Sequence, residues 1–313
     1  METSPATPGP AGLSGAAASP LAGFFADPDL TVVGDRYFLY PTTDGFAGWA
    51  SNGFRVFSSS DLVDWVDHGT VLRMEDVSWA SGFAWAPAVV HREGEHFLYF
   101  TANEGQIGVA VADDPCGPFI DSGRPLVDVG DFSGRAIDPS VFVDSCGTAY
   151  LYWGNGVLHG VPLNEDMVSF DPHQVKSWVP EQFREAGWVH VRNGVYYLSW
   201  SVNDTRHAEY HVRYATGPSP MGPWEDRGVL LEGDPTRGVL ATGHHSILRI
   251  PVSDDWVIAY HRFAVPDGDG THREIVFDRL RHTPDGLLGP VVAGIEPLRL
   301  TLQDRITSQK RKQ

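Results

Sequence analysis

Three carboxylates and an imidazole occupy comparable places in a chain of 313 residues. Asp27 and Asp138 each precede a proline, in Ala26-Asp27-Pro28 and Ile137-Asp138-Pro139. Glu185 lies in Phe183-Arg184-Glu185-Ala186-Gly187, and His244 in Gly243-His244-His245-Ser246. Each leads into a short run of β-branched and aromatic residues. An acid at the entrance of a buried strand is costly unless it is compensated or has a task. A single Asp-Pro marks no more than a turn or a strand start, and Glu185 alone would read as a surface acid. Brought together at the end of an apolar channel, such carboxylates suit glycoside hydrolysis. One protonates the leaving oxygen, and a second activates water or attacks the sugar carbon. A third, ionised, raises the pKa of the first by like-charge repulsion.

The elements that would bring them together repeat. Five segments follow one plan: a polar or small residue, a strand, a turn, then a second strand ending in aromatics. They are residues 27–40, 85–100, 138–153, 183–201 and 243–260. Asn193-Gly194 is the strongest of the hairpin turns. Aligned on Asp27, Ala86, Asp138, Ala186 and His244, the repeats are 59, 52, 48 and 58 residues apart. Third and fourth strand-like runs follow in most of them. No segment carries a helical apolar period of useful length. Five units of about four strands predict an all-β fold, a five-bladed β-propeller with four-stranded antiparallel blades around a central axis. The first strand of each blade lines that axis, so Asp27, Trp85, Asp138, Glu185 and His244 would meet at one mouth of the channel.

At these motifs the chain resembles glycoside hydrolase family 43. The resemblance covers about Phe24 to Leu300. It rests on Ala26-Asp27-Pro28, Trp85-Ala86-Pro87, Ile137-Asp138-Pro139-Ser140, Arg184-Glu185-Ala186 and Gly243-His244-His245-Ser246, in that order. It implies a five-bladed propeller and an inverting hydrolase. Asp27 would then be the general base, Glu185 the general acid, and Asp138 the residue that tunes and orients the acid. The resemblance further implies that Trp85 walls the sugar pocket and that Arg273 reaches the sugar or the carboxylates. It also implies that His244 points into the channel near a bound calcium ion. Calcium prefers oxygen ligands, so direct binding by the imidazole would be secondary. The chain has Glu185-Ala186-Gly187 where many members have Glu-Gly-Pro.

The loop from Thr43 to Trp49 follows the second strand of the first repeat, where it could roof the pocket. Phe46 and Trp49 are its candidate stacking residues, with core filling as the alternative. Trp153, Asn155 and Trp200 close second strands and are further candidates, whereas His245 reads as structural.

A formal net charge of -17 argues against nucleic acid, which needs a cationic surface. It is compatible with a neutral sugar, and no run approaches a membrane span. The two cysteines, Cys116 and Cys146, read as reduced thiols. Residues 1–20 form an Ala/Pro/Gly/Ser lead with no basic start and no apolar core, and 303–313 a polar tail. The single catalytic domain then spans 21–302. The chain is expected to act in the cytoplasm on a short imported oligosaccharide or glycoside, with no nucleic-acid or membrane partner. The leading activity is release of a terminal pentofuranose by an exo-acting α-L-arabinofuranosidase. A β-xylosidase or β-galactofuranosidase on the same site is the alternative, and a sugar-binding propeller without catalysis is a third. A retaining fructosidase would begin with an Asn-Asp-Pro-Asn-Gly motif, which Ala26-Asp27-Pro28-Asp29-Leu30 is not.

Overall fold

The computed structural model describes residues 19–302. Five small sheets stand in a ring, forming the predicted propeller. The first contains β1 (Phe25–Val33), β2 (Arg36–Thr43), β3 (Gly53–Ser59) and β4 (Trp65–Arg73). The second contains β5 (Trp85–Arg92), β6 (Glu95–Ala102), β7 (Gln106–Ala112) and the short β8 (Ile120–Asp121). The third contains β9 (Ser140–Val143), β10 (Ala149–Trp153), β11 (Leu158–Pro162) and β12 (Lys176–Trp178). β13 (Phe183–Arg192), β14 (Val195–Val202), β15 (His211–Gly217) and β16 (Glu225–Glu232) make the fourth. β17 (Gly243–Arg249), β18 (Trp256–Phe263) and β19 (Arg273–Leu280) make the fifth. Asn193 and Gly194 both adopt positive φ, at 52° and 80°, which is what the tight turn between β13 and β14 requires.

Five apolar clusters hold the ring, one at each contact between neighbouring blades. Alternation along the strands divides their side chains between two neighbours. On β10, Leu151 and Trp153 pack toward the second blade, whereas Tyr152 packs toward the fourth. On β14, Leu198 and Trp200 face the third blade and Tyr197 the fifth. A propeller strand is therefore apolar on both faces, which is why the sequence shows short continuous runs rather than a polar–apolar alternation.

The blades are not uniformly four-stranded, as the repeats had suggested. The fifth sheet has three strands, and β20 (Val291–Val292) joins the fourth sheet, parallel to β16. The turn at Thr283–Leu287 redirects the chain away from β19. The segment then continues to the first blade, where Leu300 N–H donates to Asp61 O at 2.9 Å and Arg299 contacts the Asp61 carboxylate. Leu300 and Leu302 complete the cluster between the first and fifth blades. Residues 291–302 thus strap the ring shut without exchanging a strand. Of the lead and tail expected at 1–20 and 303–313, only Ser19 and Pro20 fall within the described residues. Ser19 N–H donates to Glu274 Oε2 at 3.2 Å.

Glu274 also holds Arg262, whose Nε donates to Oε1 at 2.8 Å, with both side chains buried. Arg262 Nη1 reaches Gly294 O at 3.0 Å. The pair ties β18 and β19 to the strap. Removing one partner of a buried ion pair costs about 3–5 kcal/mol, whereas replacing both by apolar groups costs far less. Glu274→Ala is expected to lower stability by about that amount in urea unfolding, and the double change to leucine at 262 and 274 to recover most of it.

Candidate active site

In four blades the ladder between first and second strands breaks at an equivalent place. Register shifts fall between Ala26 and Asp29, Trp85 and Ala88, Glu185 and Trp188, and Gly243 and Ser246. At each break a residue takes positive φ: Asp27 at 49°, Ala86 at 46°, Ala186 at 57° and His244 at 42°. Asp138, just before β9, does the same at 59°. These are the five residues on which the repeats align. Each bulge turns the side chain at or before it toward the axis.

The result is a cavity of about 210 Å³ lined by Asp27, Trp85, Asp138, Glu185, His244 and Arg273, with Trp49 and Arg206 at its rim. Asp27, Asp138 and His244 also line a narrow hollow of about 10 Å³ beneath it, with Asp29 and His245. The cavity therefore stands at one mouth of the axial channel. Asp29 in that hollow is pushed up to about 7 by burial, against a hydrogen bond of 2.7 Å from Val89 N–H.

Asp27 is buried, and burial opposes its charge. Three groups outweigh that cost. His244 Nδ1 is 3.2 Å from Oδ1, Arg273 Nη1 is 3.2 Å away and His261 Nδ1 is 3.1 Å away. They hold the carboxyl well below its ordinary range, so it stays ionised. Arg273 is itself fixed by Asp44, to which its Nε donates at 2.7 Å and its backbone N–H at 3.2 Å. His261 is driven down to about 3, burial first and Arg273 second, and is neutral.

Glu185 and Asp138 behave in the opposite way. Burial raises both, and Asp138 lies well above the usual carboxylate range, with repulsion from Glu185 and Asp27 as further causes. Glu185 accepts from Tyr210 Oη at 3.0 Å and Asn155 Nδ2 at 2.7 Å, and Arg184 Nε stands 3.6 Å from its Oε2. The two carboxyls titrate together, and burial with their mutual repulsion favours keeping a proton on the pair. The sequence reading had Asp138 as an ionised neighbour of a protonated Glu185, whereas both are raised here because both are buried. Tyr210 reaches Glu185 because Gly243 leaves it room: a Cβ there would meet the tyrosine ring at 2.2 Å.

An ionised carboxylate and a pair pushed toward protonation now face one cavity. The sequence profile of Glycosyl hydrolases family 43 matches residues 18–288. The chain belongs to glycosyl hydrolase family 43. It is 35% identical over 292 residues to the beta-D-galactofuranosidase xynD of Aspergillus niger, covering 88% of this chain and 84% of that one. A xylosidase/arabinosidase of Bacteroides ovatus is 30% identical over 84% of this chain and 93% of its own. Among solved structures, a GH43 beta-xylosidase/alpha-arabinofuranosidase from a compost microbial metagenome, in complex with xylotriose and in calcium-free form, is similar with a TM-score of 0.76. It is 28% identical, over 88% of this chain and 97% of that one. The protein is a glycoside hydrolase.

The other candidates of this family-43 enzyme divide. Trp85 and Trp49 line the cavity: Trp85 Nε1 donates to Trp49 O at 2.7 Å, and Trp49 Nε1 to Gly270 O at 2.6 Å. Phe46 does not line it and is 45% exposed, because the 3₁₀ turn Ala47–Trp49 swings Trp49 inward and leaves Phe46 outside. Trp153 and Trp200 are core residues between blades. Asn155 reaches the site. Sequence reading missed Asp44, His261 and Tyr210, and with them the rim pair of Asp204 and Arg206. Arg206 lies 5.7 Å over the Trp49 ring and Arg135 5.9 Å over Trp85. Among the described residues, no three His, Cys, Asp or Glu side chains are grouped to hold a metal. His244 turns Nδ1 to Asp27, and calcium takes oxygen rather than imidazole ligands, so the residues do not fit direct chelation of that ion.

Arg273→Gln removes a charge that keeps Asp27 ionised. The Asp27 carboxyl must then rise, so the acidic limb of the pH dependence of kcat/KM is expected to move to higher pH. kcat/KM at the optimum should fall on the order of a hundredfold, since the base also loses its orientation. A pH-rate profile checks both.

Proposed function

We propose that this enzyme is an inverting, exo-acting furanosidase that removes a terminal α-L-arabinofuranosyl residue from a short oligosaccharide. The observation that carries the reading is the division of labour in one small cavity: partners hold Asp27 toward its anion while burial pushes Glu185 and Asp138 toward their protonated forms. Three groups meet Asp27 at Oδ1, which leaves Oδ2 for water. In a single displacement the water oxygen attacks the anomeric carbon and its proton passes to Asp27. The glycosidic bond breaks, and the aglycone oxygen takes the proton of Glu185. Proton exchange with solvent then resets both carboxyls. A cavity of about 210 Å³ suits one terminal sugar rather than a polymer running through a groove. Relatives named for xylosidase, arabinosidase and galactofuranosidase activity support a pentose or a furanose as the terminal sugar.

A second reading is β-D-galactofuranosidase, favoured by the relative of that name at 35% identity. The ring of a β-D-galactofuranoside has the same configuration as that of an α-L-arabinofuranoside, and the two differ by one exocyclic CHOH unit. A floor that recognises the ring serves either sugar, and a few kcal/mol at the exocyclic carbon decides between them.

A panel of 4-nitrophenyl glycosides separates these readings, with fastest release expected from the α-L-arabinofuranoside. Fastest release from the β-D-galactofuranoside or the β-xyloside would overturn the first choice. Proton NMR of the first-formed sugar is expected to show the inverted anomer.

Asp27→Asn is expected to abolish turnover on every substrate. Glu185→Ala should damage unactivated oligosaccharides far more than 4-nitrophenyl glycosides, whose leaving group needs little protonation. Equal losses on both would remove Glu185 from the acid role.

A further inference from the structure

The backbone N–H at each bulge has left its own ladder and needs an acceptor. In three of the five blades a hydroxyl of the preceding blade accepts from it, always from the same position on the second strand. Thr42 Oγ1 accepts from Ala86 N–H at 2.7 Å, Thr101 Oγ1 from Asp138 N–H at 3.0 Å, and Ser201 Oγ from His244 N–H at 2.9 Å. At the closure of the ring His261 holds that position, but its Nδ1–H is given to the Asp27 carboxylate, so it grips the side chain. His261 Nδ1 lies 3.3 Å from Asp27 N and 3.1 Å from its carboxylate. All four side chains are buried.

The fifth junction breaks the pattern where the acid sits. Gly154 occupies the equivalent position with φ 132°, and a Cβ there would come within 2.0 Å of Val157 O. Its neighbour Asn155 donates to the Glu185 carboxylate at 2.7 Å instead. At Asp138 and His244 the latch grips the backbone of the residue that carries the functional side chain. At Ala86, the residue after Trp85, it again grips backbone, whereas at Glu185 Asn155 grips the carboxylate itself.

We propose that the side chains at or next to the ends of the second strands are positioning residues for the next blade's catalytic group, with Thr101 positioning Asp138. Thr101 touches no substrate atom in this scheme. It fixes the peptide from which Asp138 projects toward Glu185 of β13, Asp27 of β1, His244 of β17 and Arg273 of β19, with Arg135 on the approach to β9. Loss of the latch lets Asp138 turn away from Glu185 and weakens the repulsion that keeps a proton on the pair. The inference rests on the assignment of Glu185 as acid for its pH readout, though not for its rate readout.

The test compares Thr101→Val, which keeps the shape and removes the acceptor, with Thr101→Ser, which keeps the acceptor. The substrate is the methyl glycoside of whichever sugar the 4-nitrophenyl panel selects, because its poor leaving group exposes the acid step. Thr101→Val is expected to lower kcat about ten- to a hundredfold with little change in KM, and to move the alkaline limb of its pH profile to lower pH. Thr101→Ser is expected to restore both. Wild-type kcat and limb in Thr101→Val would overturn the proposal. So would losses in both variants that track a fall in melting temperature. Glu185→Gln, run alongside, should lack the alkaline limb. If the limb survives there, the acid assignment falls, while the kcat comparison of the valine and serine variants still decides the latch.

Discussion

Everything at the mouth of the channel depends on a backbone bend that residues with a side chain avoid. Five non-glycine residues with φ between 42° and 59° interrupt the inner strands. Each such residue costs of order 1–3 kcal/mol and persists only where its surroundings overdetermine it. Here the surroundings are the adjacent blades, whose apolar clusters fix the strand on both sides, and the polar side chains that meet the liberated N–H groups. Without the bends, side chains would continue to alternate between the two blade interfaces, and no carboxylate would face the axis. The strain is thus the means by which a symmetric packing unit presents chemistry at one end.

The same burial that strains the backbone sorts the charges. All three carboxyls lose hydration, so each is pushed toward its neutral form, and partners alone decide which escapes. Asp27 meets an arginine and two imidazoles at a single oxygen and stays charged. Arg273 can serve it because Asp44 holds the guanidinium from the other side. Asp138 has anions for near neighbours, and its nearest imidazole nitrogen, on His244, is 3.8 Å away. Glu185 has neutral donors, with Arg184 at 3.6 Å. A fivefold repeat of one local geometry therefore yields groups of opposite proton affinity, because the residues opposite them differ from blade to blade.

Much of this was legible from the residues. The five repeats, the ring and the convergence of Asp27, Asp138, Glu185 and His244 followed from spacing and from apolar runs. Trp85 was placed there by the repeats too, and its role as pocket wall, like Arg273, came from the family resemblance. The bends themselves were hidden: three of the five precede proline, where the usual expectation is extended backbone. His261 and Tyr210 carried no signal of their own, because what they touch is set by blade closure, not by local sequence. Trp153 was placed wrongly for a related reason. An aromatic at a strand end can serve the core or the cavity, and which neighbour it packs against is a tertiary fact. The three-stranded fifth blade was obscured because β20 is two residues long, too short to carry a pattern.

The division between floor and rim explains why chemistry was easier to read than specificity. The floor is built from first strands, whose order and register the whole fold enforces, so its residues cannot drift independently. The rim comes from loops of different blades: Trp49 from the first, Trp85 at the edge of the second, Arg135 before the third and Arg206 from the fourth. These touch one another through two arginine–tryptophan contacts and a few backbone bonds, and each loop can change without disturbing the ring. Relatives at about 30% identity can therefore share a reaction while carrying the names of xylosidase, arabinosidase and galactofuranosidase. The sugar is chosen where the fold constrains the sequence least.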